Sequence, residues 1–168
     1  MRERRARRGA IAVEFALAFA GVVLPATLAL IFTSQILWTW HAVNDFTRRG
    51  AGYAATHCWR SSASNVLDFM RLAVPPVLNQ DQFQNGPVVI DVSYYARDPD
   101  SGALLPFQCD GDCTTGCIPD TVTVRVTGYE VRAFTTFLGL PAIVLPDFQT
   151  TVPIESAGCD PEQGICNP

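Results

Sequence analysis

Six cysteines, at positions 58, 109, 113, 117, 159 and 166, carry most of the side-chain chemistry available to this chain of 168 residues. Thiolates at such positions can bind a metal or bridge in pairs. Cys109, Cys113 and Cys117 are four apart. That differs from the usual close pair followed by a distant pair at a zinc site. The only histidines, His41 and His57, fall within a predicted helix. Disulfides are the better use, provided the cysteines face an oxidising compartment. Six cysteines allow fifteen pairings. The short spacing favours Cys159 with Cys166, and Cys58 is expected to tie a helix end to the 109–117 loop. Closing such distant points stabilises by about 3–5 kcal/mol on a chain-entropy estimate.

Two acidic stretches, Asp98-Pro-Asp100-Ser-Gly102 and Asp110-Gly-Asp112, look like pieces of a calcium loop. Neither has the full ligand series closed by a bidentate glutamate. Turn chemistry accounts for both, since Asp, Gly and Pro are turn formers. No nucleophile elbow, P-loop, dinucleotide fingerprint or His-Glu-x-x-His occurs. A serine or cysteine triad would lack a loop-borne base. The expectation is a protein that is not an enzyme and needs no cofactor or metal.

The sharpest feature is a junction, Arg7 to Leu17, reading RRGAIAVEFAL. Five arginines crowd the first eight positions, Gly9 ends the basic run, and an apolar stretch begins at Ala10. Glu14 is its only charge and the fifth residue after Gly9. A carboxylate at a bilayer centre costs about 2.5–3.5 kcal/mol, less near an end, so it is seldom kept without a partner. Residues 1–9 carry a net +4 and the remainder −8, with no lysine anywhere. An acidic body leaves no basic surface to neutralise phosphates, which argues against nucleic acid. Arginines beside a spanning helix hold that end in the cytoplasm. The cysteines then lie outside, where bridges persist.

These residues need elements to position them. Ala10 to Phe32 is almost purely apolar, interrupted by Glu14, Pro25 and Thr27. Its length of about 35 Å suffices to cross a bilayer core with some tilt. Pro25 should kink or loosen the helix, and Trp38 and Trp40 suit an interfacial belt. An apolar stripe at helical period continues through Ile36, Trp40, Val43, Phe46 or Thr47, Gly50 and Ala54, with His41, Asp45 and Arg49 opposite. One helix is predicted from about Ala10 to His57, weakened near its end by Gly50 and Gly52. A second runs from about Ser64 to Ala73, stopped by Pro75-Pro76.

The period then changes to two. Val88–Ala96 and Thr121–Thr127 alternate, and Phe148–Glu155 forms a third strand with Pro153 marking an edge. The loop 98–119 is rich in Asp, Gly, Pro and Cys. FTTFLGLPAIVLPD, residues 134–147, is an apolar segment read as a turn of helix or a packing loop. The predicted fold class is α+β: a long N-terminal transmembrane helix and a small antiparallel sheet packed on its outer half, braced by disulfides. The expected organisation is a basic leader over 1–9, a transmembrane helix over 10–33, its continuation over 34–58, and a small α+β domain over 59–168.

The residues alone leave open an ordinary uncleaved anchor, with Glu14 in the headgroup region. The basic run, the glycine, the apolar start and the acid at the fifth position together resemble the leader of type IV pilin-like proteins. RRGAIAVEFAL with TRRGAGYAAT (Thr47–Thr56) narrows this to the TadE-like pseudopilin family of tight-adherence (Tad/Flp) pilus systems. The resemblance covers residues 7–56 well and the rest in outline. ILWTW over Ile36–Trp40 departs from the family's Glu-Phe-Gly, and the cysteine-rich loop and tail are not a general family feature. The resemblance implies cleavage between Gly9 and Ala10 by a prepilin peptidase. It makes Glu14 the carboxylate that meets the free amino terminus of a neighbouring subunit and sets axial register. Opposite charges in a dry bundle are tolerable together and expensive apart. The implied partners are that peptidase, other pilins or pseudopilins, the pilus assembly platform and membrane lipid. The implied location is the bacterial cytoplasmic membrane, with the C-terminal domain outside.

Overall fold

The computed structural model describes residues 11–109, 116–132, 135–136, 139, 141–154, 156, 158–160 and 165–166, apart from the side chains at 60–65, 160 and 165. The chain divides into two compact units between Trp38 and Thr39. Helix α1, Ile11–Thr56, has 46 residues and contributes to both.

In the first unit α1 is long and apolar enough to cross a membrane, and none of its most apolar window is buried. Ile11, Val13, Phe15, Leu17, Val22 and Leu30 are all exposed. Two of its hydroxyls are satisfied within the helix. Thr27 Oγ1 donates to the Val23 carbonyl at 2.8 Å and Thr33 Oγ1 to Ala29 at 2.9 Å, which lowers their cost in an apolar surrounding. The predicted loosening at Pro25 takes a definite form. Residues Phe19–Val23 make a π-helical turn, and the Leu24 N–H reaches back to the Phe19 carbonyl. A proline ring clashes with the carbonyl four residues earlier, here Gly21, and a wider turn relieves it.

In the second unit, Val43, Phe46, Thr47, Gly50, Ala51 and Ala54 form the buried stripe of α1. Against it lie α2 (Trp59–Leu72), α3 (Gln80–Gln84) and a sheet. Gly50 is a close-approach position rather than merely a weak point. A Cβ there would sit 2.5 Å from Met70 Sδ of α2. Phe69 stacks flat on Tyr53, with ring centroids 3.9 Å apart. Helix α2 begins five residues earlier than the sequence suggested. Cys58 carries the extended backbone before it, and the serines that follow continue the helix instead of delaying it.

Strands β1 (Val89–Arg97), β2 (Leu104–Pro106), β3 (Thr121–Thr127) and β6 (Phe148–Pro153) make an antiparallel sheet in the order β2-β1-β3-β6. Val124 sits opposite Val92 on one side and Thr150 on the other. Val122, Val124 and Val126 are fully buried. The other face is less wet than alternation implies, because Thr123 is buried too and its hydroxyl bonds that of Thr151 at 2.9 Å. Strand β1 starts at Val89 because the Val88 N–H turns away to the Gln82 carbonyl. β6 is an edge strand and stops at Pro153, and the next N–H, of Ile154, goes to the Asp120 carbonyl. Two further ribbons were not foreseen: β4 (Glu130–Val131) with β5 (Ile143–Val144), and β7 (Cys159–Asp160) with β8 (Ile165–Cys166). β5 falls in the apolar insert over 134–147, and Thr135–Thr136 form a helical turn there.

Candidate functional site

Gly9 and Ala10, the expected cleavage pair, lie outside the described residues, as do Cys113, Asp110 and Asp112. Glu14 is an exposed residue of α1 and makes no ion pair with any described residue. The apolar part of the helix thus bonds Thr27 and Thr33 to its own carbonyls, while its one carboxylate, Glu14, has no ion-pair partner among the described residues.

Two disulfides are seen among the described residues, Cys109–Cys117 and Cys159–Cys166. The second joins the closely spaced tail pair. Cys58 is also disulfide-bonded. Its neighbour Trp59 fastens the start of α2 to the loop: Trp59 Nε1 donates to the Cys117 carbonyl at 3.0 Å, and its ring meets Phe107 edge-on at 5.0 Å. The tail returns to the same place. Gly158 adopts φ +73°, and a Cβ on it would collide with the Thr56 carbonyl. The five described cysteines therefore gather at one end of the second unit, where α1 stops.

Asp98 is occupied by its own turn. Its carboxylate accepts the Asp100 N–H at 2.8 Å and the Ser101 N–H at 3.3 Å. These bonds hold its carboxyl below the ordinary carboxylate value, the Asp100 bond contributing most and Ser101 next. The described residues contain no cluster of three or more His, Cys, Asp or Glu able to hold a metal ion.

At the other end of the unit lies a pocket of about 590 Å³ that the sequence did not announce. Thr39 of α1, Val77 to Asn79, Gln82 of α3, Tyr129 to Arg132 and Thr136 line it. Its frame is polar and closely bonded. Gln82 Nε2 donates to the Glu130 carbonyl at 2.8 Å, and the Glu130 N–H donates to Gln82 Oε1 at 2.9 Å. The glutamine so completes the open edge of β4. The Asn79 N–H donates to the Tyr129 hydroxyl at 3.1 Å. Behind these, Phe46, Phe83 and Tyr129 form a run of ring contacts at 5.3 and 5.8 Å. In the wall, Arg132 Nε and Nη2 both bond Glu130 Oε2, at 2.7 and 2.6 Å.

No protein family, no curated protein and no solved structure matches the chain.

The pocket draws on segments some forty to ninety residues apart in sequence, and none carries a motif. Only the apolar character of the 134–147 insert was visible beforehand, and β5 comes from it. The arrangement offers a mixed-charge pair beside an apolar surface. It can bind and orient a polar group. None of the contacts described makes an activated nucleophile.

Proposed function

We propose that this chain is a pseudopilin-like structural subunit of a Tad/Flp-type pilus system. It is cut after Gly9 by a prepilin peptidase and acts through helix packing in pilus biogenesis, adhesion or secretion. The observation that carries this reading is Glu14 on α1, five residues after Gly9 and otherwise surrounded by apolar side chains. A helix that bonds Thr27 and Thr33 to its own carbonyls but leaves Glu14 without an ion-pair partner among the described residues is suited to an opposite charge from another molecule. A single buried polar pair would fix axial register between helices, as it does in coiled coils. The apolar surface of α1 needs cover as well, and lipid or neighbouring helices supply it.

The test has two parts. Intact mass of the protein purified from cells with active prepilin peptidase should correspond to a chain starting at Ala10. A chain still starting at Met1 overturns processing. Glu14→Ala should leave the protein in the membrane fraction but abolish its co-purification with pilus components, and unchanged co-purification removes the register role. The pocket in the second unit favours one alternative, an uncleaved single-pass anchor that presents a binding domain. The mass measurement separates the two.

A further inference from the structure

We infer that the pocket beside β4 is a lipid headgroup site, with the exposed apolar residues of β5 and Val77 resting in the interfacial layer of the membrane that α1 crosses. This rests on the reading of α1 as membrane-spanning. Thr39, which lines the pocket, follows Trp38 directly on the same helix. Chain connectivity therefore keeps this wall of the pocket within about one helical turn, 5.4 Å of rise, of a residue type that prefers the bilayer interface.

The pocket's surroundings fit that position. Val144 is 61% exposed, Val77 50% and Ile143 37%. Ile143 and Val144 pair with Val131 and Glu130 of the lining strand, so an apolar surface adjoins the polar wall. A bilayer's interfacial layer presents the same pairing of apolar chains and charged heads. The Glu130–Arg132 pair adds chemical selectivity. Its bonds converge on Oε2, and no hydrogen bond among the described residues engages Arg132 Nη1 or Glu130 Oε1. Among the described residues, one cationic donor and one anionic acceptor thus remain side by side. A zwitterionic headgroup laid across them in the opposite sense would place its phosphate on the guanidinium and its ammonium on the carboxylate. A purely anionic headgroup would face the carboxylate unfavourably.

The experiment uses the full chain in nanodiscs of phosphatidylethanolamine and phosphatidylglycerol, doped with a lipid carrying a nitroxide on its headgroup. Amide signals of Val77 and Val144 should broaden several-fold more than those of Leu104 and Leu105. These controls are similarly exposed, but they lie on β2 at the other end of the sheet. Replacing all phosphatidylethanolamine by phosphatidylglycerol should shift the Arg132 Nε signal and weaken the broadening at Val144. Broadening of the Trp38 indole without any at Val144 overturns the headgroup site while leaving the membrane helix standing. Absence at Trp38 as well overturns both. Broadening at Val144 that ignores the lipid swap overturns headgroup recognition. Val144→Asp, on an exposed position, should abolish the contact without unfolding the sheet, and persistence of the contact in that variant also counts against it.

Discussion

The two ends of the four-stranded sheet are held by different means. Where α1 stops, cysteines and main-chain contacts do the work: Cys58 is bridged, Cys109 is bonded to Cys117, Cys159 to Cys166, and Gly158 packs onto the Thr56 carbonyl. At the Trp40 end no described residue is a cysteine. Order there comes from ring contacts, Trp40 on Phe148 at 4.9 Å and Phe46 on Phe83, and from Gln82 bonding both main-chain groups of Glu130. Covalent bridges act mainly by restricting the unfolded chain, so they need little interior. Side-chain packing needs volume, and the end that relies on it also leaves a pocket. The contrast suggests a division of labour, one end pinned and the other shaped to receive something.

The largest way to break this comparison is Phe46→Ala. Phe46 is almost wholly buried and supports the ring run behind the pocket. Truncating a buried aromatic of this kind costs about 3–5 kcal/mol. Denaturant unfolding of the detergent-solubilised full chain should register that loss. In hydrogen exchange it should fall first on Gln82 and Glu130 rather than on the Trp59 indole N–H. Equal loosening at both ends would mean that the unit does not divide as described.

A smaller effect is expected from the pinned end. Replacing Cys109 and Cys117 together by serine opens a bridge of sequence separation 8, worth about 2–3 kcal/mol on the chain-entropy account. Exchange of the Trp59 indole N–H, which bonds the Cys117 carbonyl, should quicken, while the Asn79 N–H bond to Tyr129 keeps its protection. Faster exchange at Asn79 would show that the bridge braces the whole unit.

How far the sequence foretold these two ends follows from the range of the forces in each. The stripe Val43, Phe46 or Thr47, Gly50 and Ala54 was visible because helical burial repeats locally, and Thr121–Thr127 because a strand alternates. The Cys159–Cys166 bridge was visible from proximity alone. The pocket was not, because it joins Thr39, Gln82 and Glu130 through long-range contacts that no local period encodes. Helix α3 has five residues and β4 two, too few for any pattern to repeat. The partnership of Gln82 with Glu130 is likewise invisible, since a glutamine that completes a strand edge looks like any other glutamine. Gly50 was read as a flaw in a helix, yet only the absence of its side chain lets Met70 approach.

The smallest effect is acid sensitivity confined to the pinned end. The carboxyl of Asp98 titrates below its ordinary value of 3.8, first because it accepts the Asp100 N–H and then the Ser101 N–H. A depressed folded value means that the ionised form is favoured by folding. Its contribution is complete above the unfolded value and is lost as pH falls through the folded one. As pH falls from about 5 through this lowered folded value, the turn joining β1 to β2 should therefore loosen. Amides of Asp100, Ser101 and Gly102 should exchange faster once intrinsic rates are corrected for. Asp98→Asn keeps an acceptor oxygen but has no charge to lose, so it should remove this pH dependence while weakening the turn slightly at neutral pH. The Gln82–Glu130 bonds at the other end involve a neutral amide and main-chain groups, and they should not respond over the same range. If they loosen in step with Asp98, acid is acting on the whole unit and the two ends are not independent.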